Sequence, residues 1–291
     1  MRETSCVIVS NCQGRPLGSM LTTLYEIECQ EIIIVHLAKD SEAETFDACL
    51  ERADVVISQH IQDQYPCAFV RTSALRQRVG KRLITIPNIF YRGYTPDLRY
   101  LRLRARGTLK GPLGDYHSSI LLNAWKEGEN QESALERYNN IDLWAKQYNT
   151  IAEQSLAELQ KRELELDIQI SDCISAMQSR QQLFYSFNHP SKAMIKILAD
   201  RIAEHLNLSS KPEGKASVQA MREPLDRIQI PLHSFTRENL KLEFPGPDCF
   251  QGESMQPGKR RPVPYQLPEL TNHFFEHYNS QRDDILEHGL W

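Results

Sequence analysis

Four short apolar runs, rich in β-branched residues, recur through the first ninety residues: SCVIVS (5–10), EIIIVHL (31–37), ADVVISQ (53–59) and RLITIPN (82–88). Each is too short for a buried helix and apolar on both faces, the signature of a strand covered on both sides. The stretches between them carry helical spacing. Leu17, Met20, Leu21, Leu24 and Ile27 follow the first run, and Pro16 suits a first helical turn. Residues 41–53 read as a helix with Ser41 as N-cap, and 70–80 as another. Strands alternating with helices predict an α/β fold: a doubly wound, mostly parallel sheet with helices on both faces.

In such a sheet, ligands collect beyond the carboxyl ends of the strands. Four polar clusters fall at strand ends: SNCQGRP (10–16), SQHIQDQY (58–65), PNIFYRGYTPD (87–97) and FNHPS (187–191), the last after a strand at 183–187. Cys12 stands in the first. A thiol at the start of a helix feels the helix dipole and unpaired backbone N–H groups, which favour the thiolate. Asn11 and Gln13 bring amides that could stabilise an oxyanion, or could only tie down the turn. His189, before Pro190 and a helix over 188–206, is the best base candidate, with a capping role as the plain alternative. His60 and His117 are secondary candidates, and His36 reads as structural within a buried strand. His60 with Asp63 and Asp115 with His117 form no dense ligand set, so no metal is expected.

Residues 99–110, RYLRLRARGTLK, concentrate Arg99, Arg102, Arg104, Arg106 and Lys110 in a chain of net charge −4. Guanidinium groups match phosphate oxygens, so a phosphorylated ligand is one reading and a solvated basic helix face the other. There is no phosphate-cradling G-x-x-x-x-G-K-[ST] and no G-x-G-x-x-G. The net charge argues against nucleic acid as the main partner, and no apolar run is long enough to span a membrane. The N-terminal apolar stretch is too short for a signal peptide, and seven scattered cysteines without a C-x-x-C pair suit a reduced, cytoplasmic protein.

Between Glu129 and His189 there is neither Gly nor Pro, which predicts one or two long helices. Nine of the fifteen prolines lie between 212 and 268, where no periodicity survives, and a last helix closes the chain from 267. The expected organisation is an α/β domain over 1–206, with a helical insertion at about 129–182. Residues 207–291 then form a Pro-rich arm and a C-terminal helix packed on the same domain.

SNCQGRPL, SQHIQDQY, IPNIFYRGYTPD, GDYHS (114–118) and FNHPS, in this order, resemble the WcbI-type polysaccharide biosynthesis acetyltransferases over about residues 5–206. The resemblance implies a three-layer α/β fold loosely similar to SGNH-type esterases, binding of coenzyme A or acetyl-CoA, and acyl transfer to a hydroxyl of a surface glycan. On that implication Cys12 accepts or orients the acetyl group and His189 is the base. Asn11, Gln13 and Gln59 stabilise the oxyanion, while Gly14, Arg15, Arg99, Arg102, Arg104, His117 and Ser118 hold the cofactor. Its partners are acyl-CoA and a sugar or glycan acceptor; a homo-oligomer or a glycan-synthesis enzyme partner is left open. An esterase or deacetylase, and a non-catalytic glycan- or nucleotide-binding module, are the competing readings.

Overall fold

In a computed structural model of the chain, the structure describes residues 3–104, 106–255 and 261–290. In chain order the first strands and helices are β1 (Thr4–Ser10), α1 (Gly14–Leu24), β2 (Ile27–Ile34), α2 (Ala43–Arg52), β3 (Val55–Gln59), α3 (Thr72–Val79) and β4 (Leu83–Ile86). Short strands β5 (Leu98–Tyr100), β6 (Arg102–Leu103), β7 (Gly107–Thr108) and β8 (Tyr116–Ser118) follow. Helices come next: α4 (Ser119–Lys126), α5 (Gln131–Asn139), α6 (Ile141–Tyr148), α7 (Ile151–Glu163), α8 (Ser171–Met177) and α9 (Lys192–Leu206). The chain divides into two compact units. The first holds residues 1–90, 156–177 and 189–225; the second holds 91–155, 178–188 and 226–291.

The first unit is built on a parallel sheet in the order β2-β1-β3-β4. The chain leaves β1 for one neighbour, β2, and returns to the other side at β3, so the switch point lies between β1 and β3. Alternation along β1 sorts its side chains onto two faces. Val7 and Val9 pack with Ile33, Val56, Leu50, Leu75 and Val79 under α2 and α3. Ile8 and Ser10 face α1, which packs in turn on α9. β2 begins at Ile27, earlier than predicted, and ends at Ile34. Its polar first half, IECQE, hid it from an apolar-run reading; an edge strand tolerates that polarity because one flank faces water.

Two glycines bring α1 to backbone distance from the sheet. A Cβ on Gly14 would lie 2.9 Å from Ser10 Cβ, and one on Gly18 would lie 3.0 Å from Ile32 Cδ1 and 3.2 Å from Cys29 Sγ. This close seat fixes where α1 begins, and so where the turn before it stands.

The stretch from 129 to 182 forms four short helices rather than one or two long ones. Asparagine does the breaking that Gly and Pro usually do. Asn130 and Asn140 leave the helical region, and their side chains accept from Ser133 N (2.9 Å) and Leu143 N (3.1 Å) to start new helices. After α7, buried Glu163 accepts from Ile170 N (2.8 Å) and Ser171 N (3.1 Å), which starts α8.

In the second unit, β5 pairs antiparallel with β8 and β6 with β7, so the arginine run lies on short strands and their turn, not on a helix. Its alternation of Leu and Arg is the period of a strand with one buried face. Within the predicted Pro-rich arm, helices Gly214–Ala220 and Ser234–Asn239 and an antiparallel strand pair, Phe250–Glu253 with Pro262–Tyr265, are formed. Residues 256–260 of that arm lie outside the described residues. No helix among the described residues is long and apolar enough to cross a membrane.

Gly18→Val forces a branched side chain into the α1–sheet contact. It is expected to lower stability by about 2 kcal/mol, read as a fall in the urea midpoint at unchanged m-value.

Candidate functional site

Cys12 lies in the three-residue link between β1 and α1, half-buried, immediately beyond the carboxyl end of the central strand. The link is fastened by amides from three strand ends. Gln59, the last residue of β3, accepts from Asn11 N at 2.9 Å through Oε1. Its Nε2 donates to Gln13 Oε1 at 2.9 Å and toward Asn11 Oδ1 at 3.4 Å. Gln13 is buried and pairs with the segment after β4, its Nε2 donating to Ile89 O (2.8 Å) while its Oε1 accepts from Ile89 N (3.2 Å). Asn11 Nδ2 donates to Asn88 Oδ1 at 3.0 Å, and Asn11 Oδ1 accepts from Gln13 N at 2.9 Å. Gly14 N donates to Asn11 O at 3.0 Å and completes the turn.

Of the two sequence readings of Asn11 and Gln13, the structure shows the anchoring one directly. Donor meets acceptor around a closed circuit, with no net charge in it, which is how buried polar groups avoid a desolvation cost. Cys12 is thereby held between two side chains that are themselves tied to β3 and to the β4 exit.

Beside this turn opens a cavity of about 460 Å³ lined by Asn11, Gln59 and Asn88, by the stretch His60–Ile61–Gln62 with Gln64, Tyr65 and Pro66, and by Val35 and His36. Tyr65 Oη donates to Val35 O at 3.2 Å and closes one wall. Among the described residues, no arginine, lysine or carboxylate lines it. His36 is exposed here, which corrects its reading as a buried strand residue. The ladder ends where Val35 N donates to Ser10 O (2.9 Å), and Leu37 N and Ala38 N then both turn back to Ile34 O. His60 is also exposed at the cavity, while Asp63 accepts from Ser73 Oγ at 2.5 Å.

His189 directly precedes Pro190 and Ser191, whose side chain caps α9 by accepting from Met194 N at 3.4 Å. Burial pushes its imidazole down to about 4, so the ring is neutral at physiological pH. Cys12 and His189 thus belong to the same unit and precede α1 and α9, the two helices that pack on each other. Arg15 is exposed on the first turn of α1.

The other cofactor candidates lie in the second unit. His117 is 1% exposed; its Nε2 bonds Leu109 O (2.9 Å) and its Nδ1 meets Tyr278 Oη (3.0 Å). Ser118 is buried and caps α4, accepting from Leu121 N at 3.4 Å. Arg99 is half-buried, its Nη1 donating to Pro96 O (2.6 Å) and Leu98 O (2.7 Å). Arg102 stacks over the Tyr100 ring at 5.6 Å, Arg104 is exposed, and Arg106 pairs with Asp284 at 2.8 Å. Asn88, His36 and Tyr65 line the cavity although the sequence reading names none of them as a site residue: His36 reads as structural, and Asn88 and Tyr65 stand only within the polar clusters at strand ends.

The chain matches the family model for the polysaccharide biosynthesis enzyme WcbI over residues 5–211, and belongs to that family. No curated protein matches it. A solved structure of WcbI is similar to it with a TM-score of 0.78 at 18% identity, over 98% of this chain and 92% of that one. At that identity the likeness establishes the fold. The neighbour is described as a novel polysaccharide biosynthesis enzyme, in its native form without a disulfide bond between coenzyme A and one of its cysteines.

Gln13→Leu keeps the volume but strands Ile89 N, Ile89 O and a Gln59 proton in a buried setting. A loss of about 3 kcal/mol is expected, measured by chemical denaturation. Because both glutamines belong to one circuit, Gln13→Leu with Gln59→Leu should cost less than the sum of the single changes.

Proposed function

We propose that this member of the WcbI family is a coenzyme-A-dependent acyltransferase that acetylates a hydroxyl of a surface polysaccharide or of its precursor. The observation that carries this reading is the rigid Cys12 turn at the switch point of the sheet, beside a cavity lined by side-chain amides and two histidines. The family and the neighbour described with coenzyme A and a cysteine support it. The helices on both faces of the sheet suit the SGNH-like architecture implied by the sequence resemblance.

The residues present fit the uncharged arm of coenzyme A. That arm carries two amides and a terminal thiol, and Asn11, Gln59, Gln62, Gln64 and Asn88 offer complementary donors and acceptors without a competing charge. When bound, coenzyme A supplies an activated acyl group as its thioester. The protein's own contributions are positional and protolytic. Cys12 carries or orients the acyl group at the start of α1. His189, neutral through burial, takes the proton of the acceptor hydroxyl. Gln13 and Gln59 act by holding the turn, and Asn11 and Asn88 present amides to the cavity mouth. Arg15 offers a cation on the first turn of α1. A coenzyme A thioester places the reaction in the cytoplasm.

Calorimetric titration with coenzyme A, followed by acetyl transfer to sugar acceptors, tests the proposal. Wild type should bind coenzyme A; Cys12→Ser and His189→Ala should keep the fold and lose about 10²-fold or more in turnover. Absence of coenzyme A binding, or full transfer by both variants, overturns it. Ester hydrolysis that is indifferent to coenzyme A assigns an esterase instead.

The pH dependence has a definite sign. A histidine depressed from 6.5 to about 4 remains an unprotonated base as pH falls through 6.5, so the acid limb of kcat should appear near pH 4. The same depression contributes stability that is fully present above 6.5 and lost as pH falls toward 4. His189→Ala should flatten that part of a stability–pH profile.

A further inference from the structure

The second unit contains a charge cluster that its own residues do not balance. In the segment RGYTPDLR (92–99), two guanidinium groups converge on one neutral acceptor. Arg92 Nη2 donates to Pro96 O at 3.1 Å, and Arg99 Nη1 donates to the same oxygen at 2.6 Å and to Leu98 O at 2.7 Å. Both side chains are half-buried, and neither is in a salt bridge among the described residues. Burial, reinforced by the charge of Arg99, pushes Arg92 down to about 10.

The carboxylate that faces them is Asp97, 2% exposed. Ser118 hydrogen-bonds it, but its Oδ2 has no hydrogen-bond partner, and burial raises its pKa to about 6. Two further buried polar atoms of the same segment, Arg92 Nε and Thr95 Oγ1, also lack hydrogen-bond partners. Tyr148 Oη and Ser119 Oγ, bonded to each other at 2.9 Å, complete the surroundings. A buried donor without a partner costs about 1–3 kcal/mol; Arg92 Nε is such a donor, and beside the converging Arg99 cation it calls for an acceptor of opposite charge.

We propose that Arg92 and Arg99 form a binding site for a phosphate monoester. Two guanidinium groups match a dianion where a single carboxylate would neutralise only one of them. Guanidinium groups donate in the parallel pairs that such oxygens accept, and Arg92 Nε, buried without a partner, is the donor left over. The Thr95 hydroxyl adds a donor without charge. Arg92 is outside the RYLRLRARGTLK run, so charge density along the sequence gave no reason to choose it; convergence on Pro96 O does.

Two sources carry this chemistry: the ribose phosphate of coenzyme A, which rests on the function proposed above, and a phosphorylated sugar, which does not. Titration of the full chain with inorganic phosphate at low salt tests the site alone. Saturable binding is expected, weakened about tenfold or more in Arg92→Gln and in Arg99→Gln. Arg92→Lys keeps the charge while removing the Nε edge, so it guards against a variant that merely unfolds; it too should bind about tenfold more weakly. No saturable binding by wild type, or undiminished binding by folded Arg92→Lys, overturns the proposal.

Competition then identifies the source. If coenzyme A displaces phosphate and 3′-dephospho-coenzyme A does not, the nucleotide occupies the site. If a sugar phosphate alone displaces it, the acceptor does. A phosphate site from which neither displaces the ion is an adventitious ion site and overturns the proposal. Failure of coenzyme A to bind anywhere would sink the acyltransferase reading while leaving the inorganic phosphate result to stand or fall separately.

Discussion

The pairing of Gln13 with both the N–H and the carbonyl of Ile89 is the contact on which the first unit's site depends. It ties the exit of β1 to the exit of β4 across β3, whose own last residue, Gln59, bridges the two. A cysteine on a three-residue link has little to fix its position unless its neighbours are immobilised. Here both neighbours are, by directional bonds between neutral groups. Neutrality matters because charges at this depth would need partners of their own, and those partners would fill the space the cavity occupies.

The same bonds divide labour among residues that look alike in the sequence. Asn11, Gln13 and Gln59 are all amides at strand ends, yet Gln13 is buried within the circuit while Asn11 and Gln59 also reach the cavity wall. Gly14 and Gly18 then carry the constraint onward by letting α1 sit at backbone distance from β1 and β2. Turn, helix start and sheet therefore form one mechanical piece, and Cys12 inherits its position from all three.

The parallel core was legible because apolar runs and helical spacing are local signals. Each of the four central strands appears where an apolar run stood, with β2 displaced toward its polar half by the tolerance of an edge. The helical region at 129–182 was read as too continuous, since Asn140 and Glu163 interrupt helices through side-chain bonds to backbone that composition does not announce. His36 was misjudged for a related reason. Whether a strand ends at Ile34 or runs to Leu37 depends on which carbonyl Val35 and its successors meet, a tertiary fact. Cys12, Asn11, Gln59 and His189 could be singled out because strand ends are predictable and ligands gather there. The partner of each could not.

One rule reads in opposite directions at two places in this molecule. Buried polar groups need partners, and in the amide circuit around Cys12 they find them in each other, which yields a fixed turn and an adjoining amide-lined cavity. In the RGYTPDLR segment Arg92 Nε, Thr95 Oγ1 and Asp97 Oδ2 find none, although donors, an acceptor and two cations lie within one short stretch of chain. A satisfied network holds a neighbour in place, whereas an unsatisfied one retains binding energy for a ligand that completes it. The Arg92–Arg99 cluster sets two half-buried cations beside one carboxylate, so burial and mutual repulsion weigh against it and Asp97 offsets only part of that cost. Its persistence as two converging guanidinium groups is what an anionic partner explains.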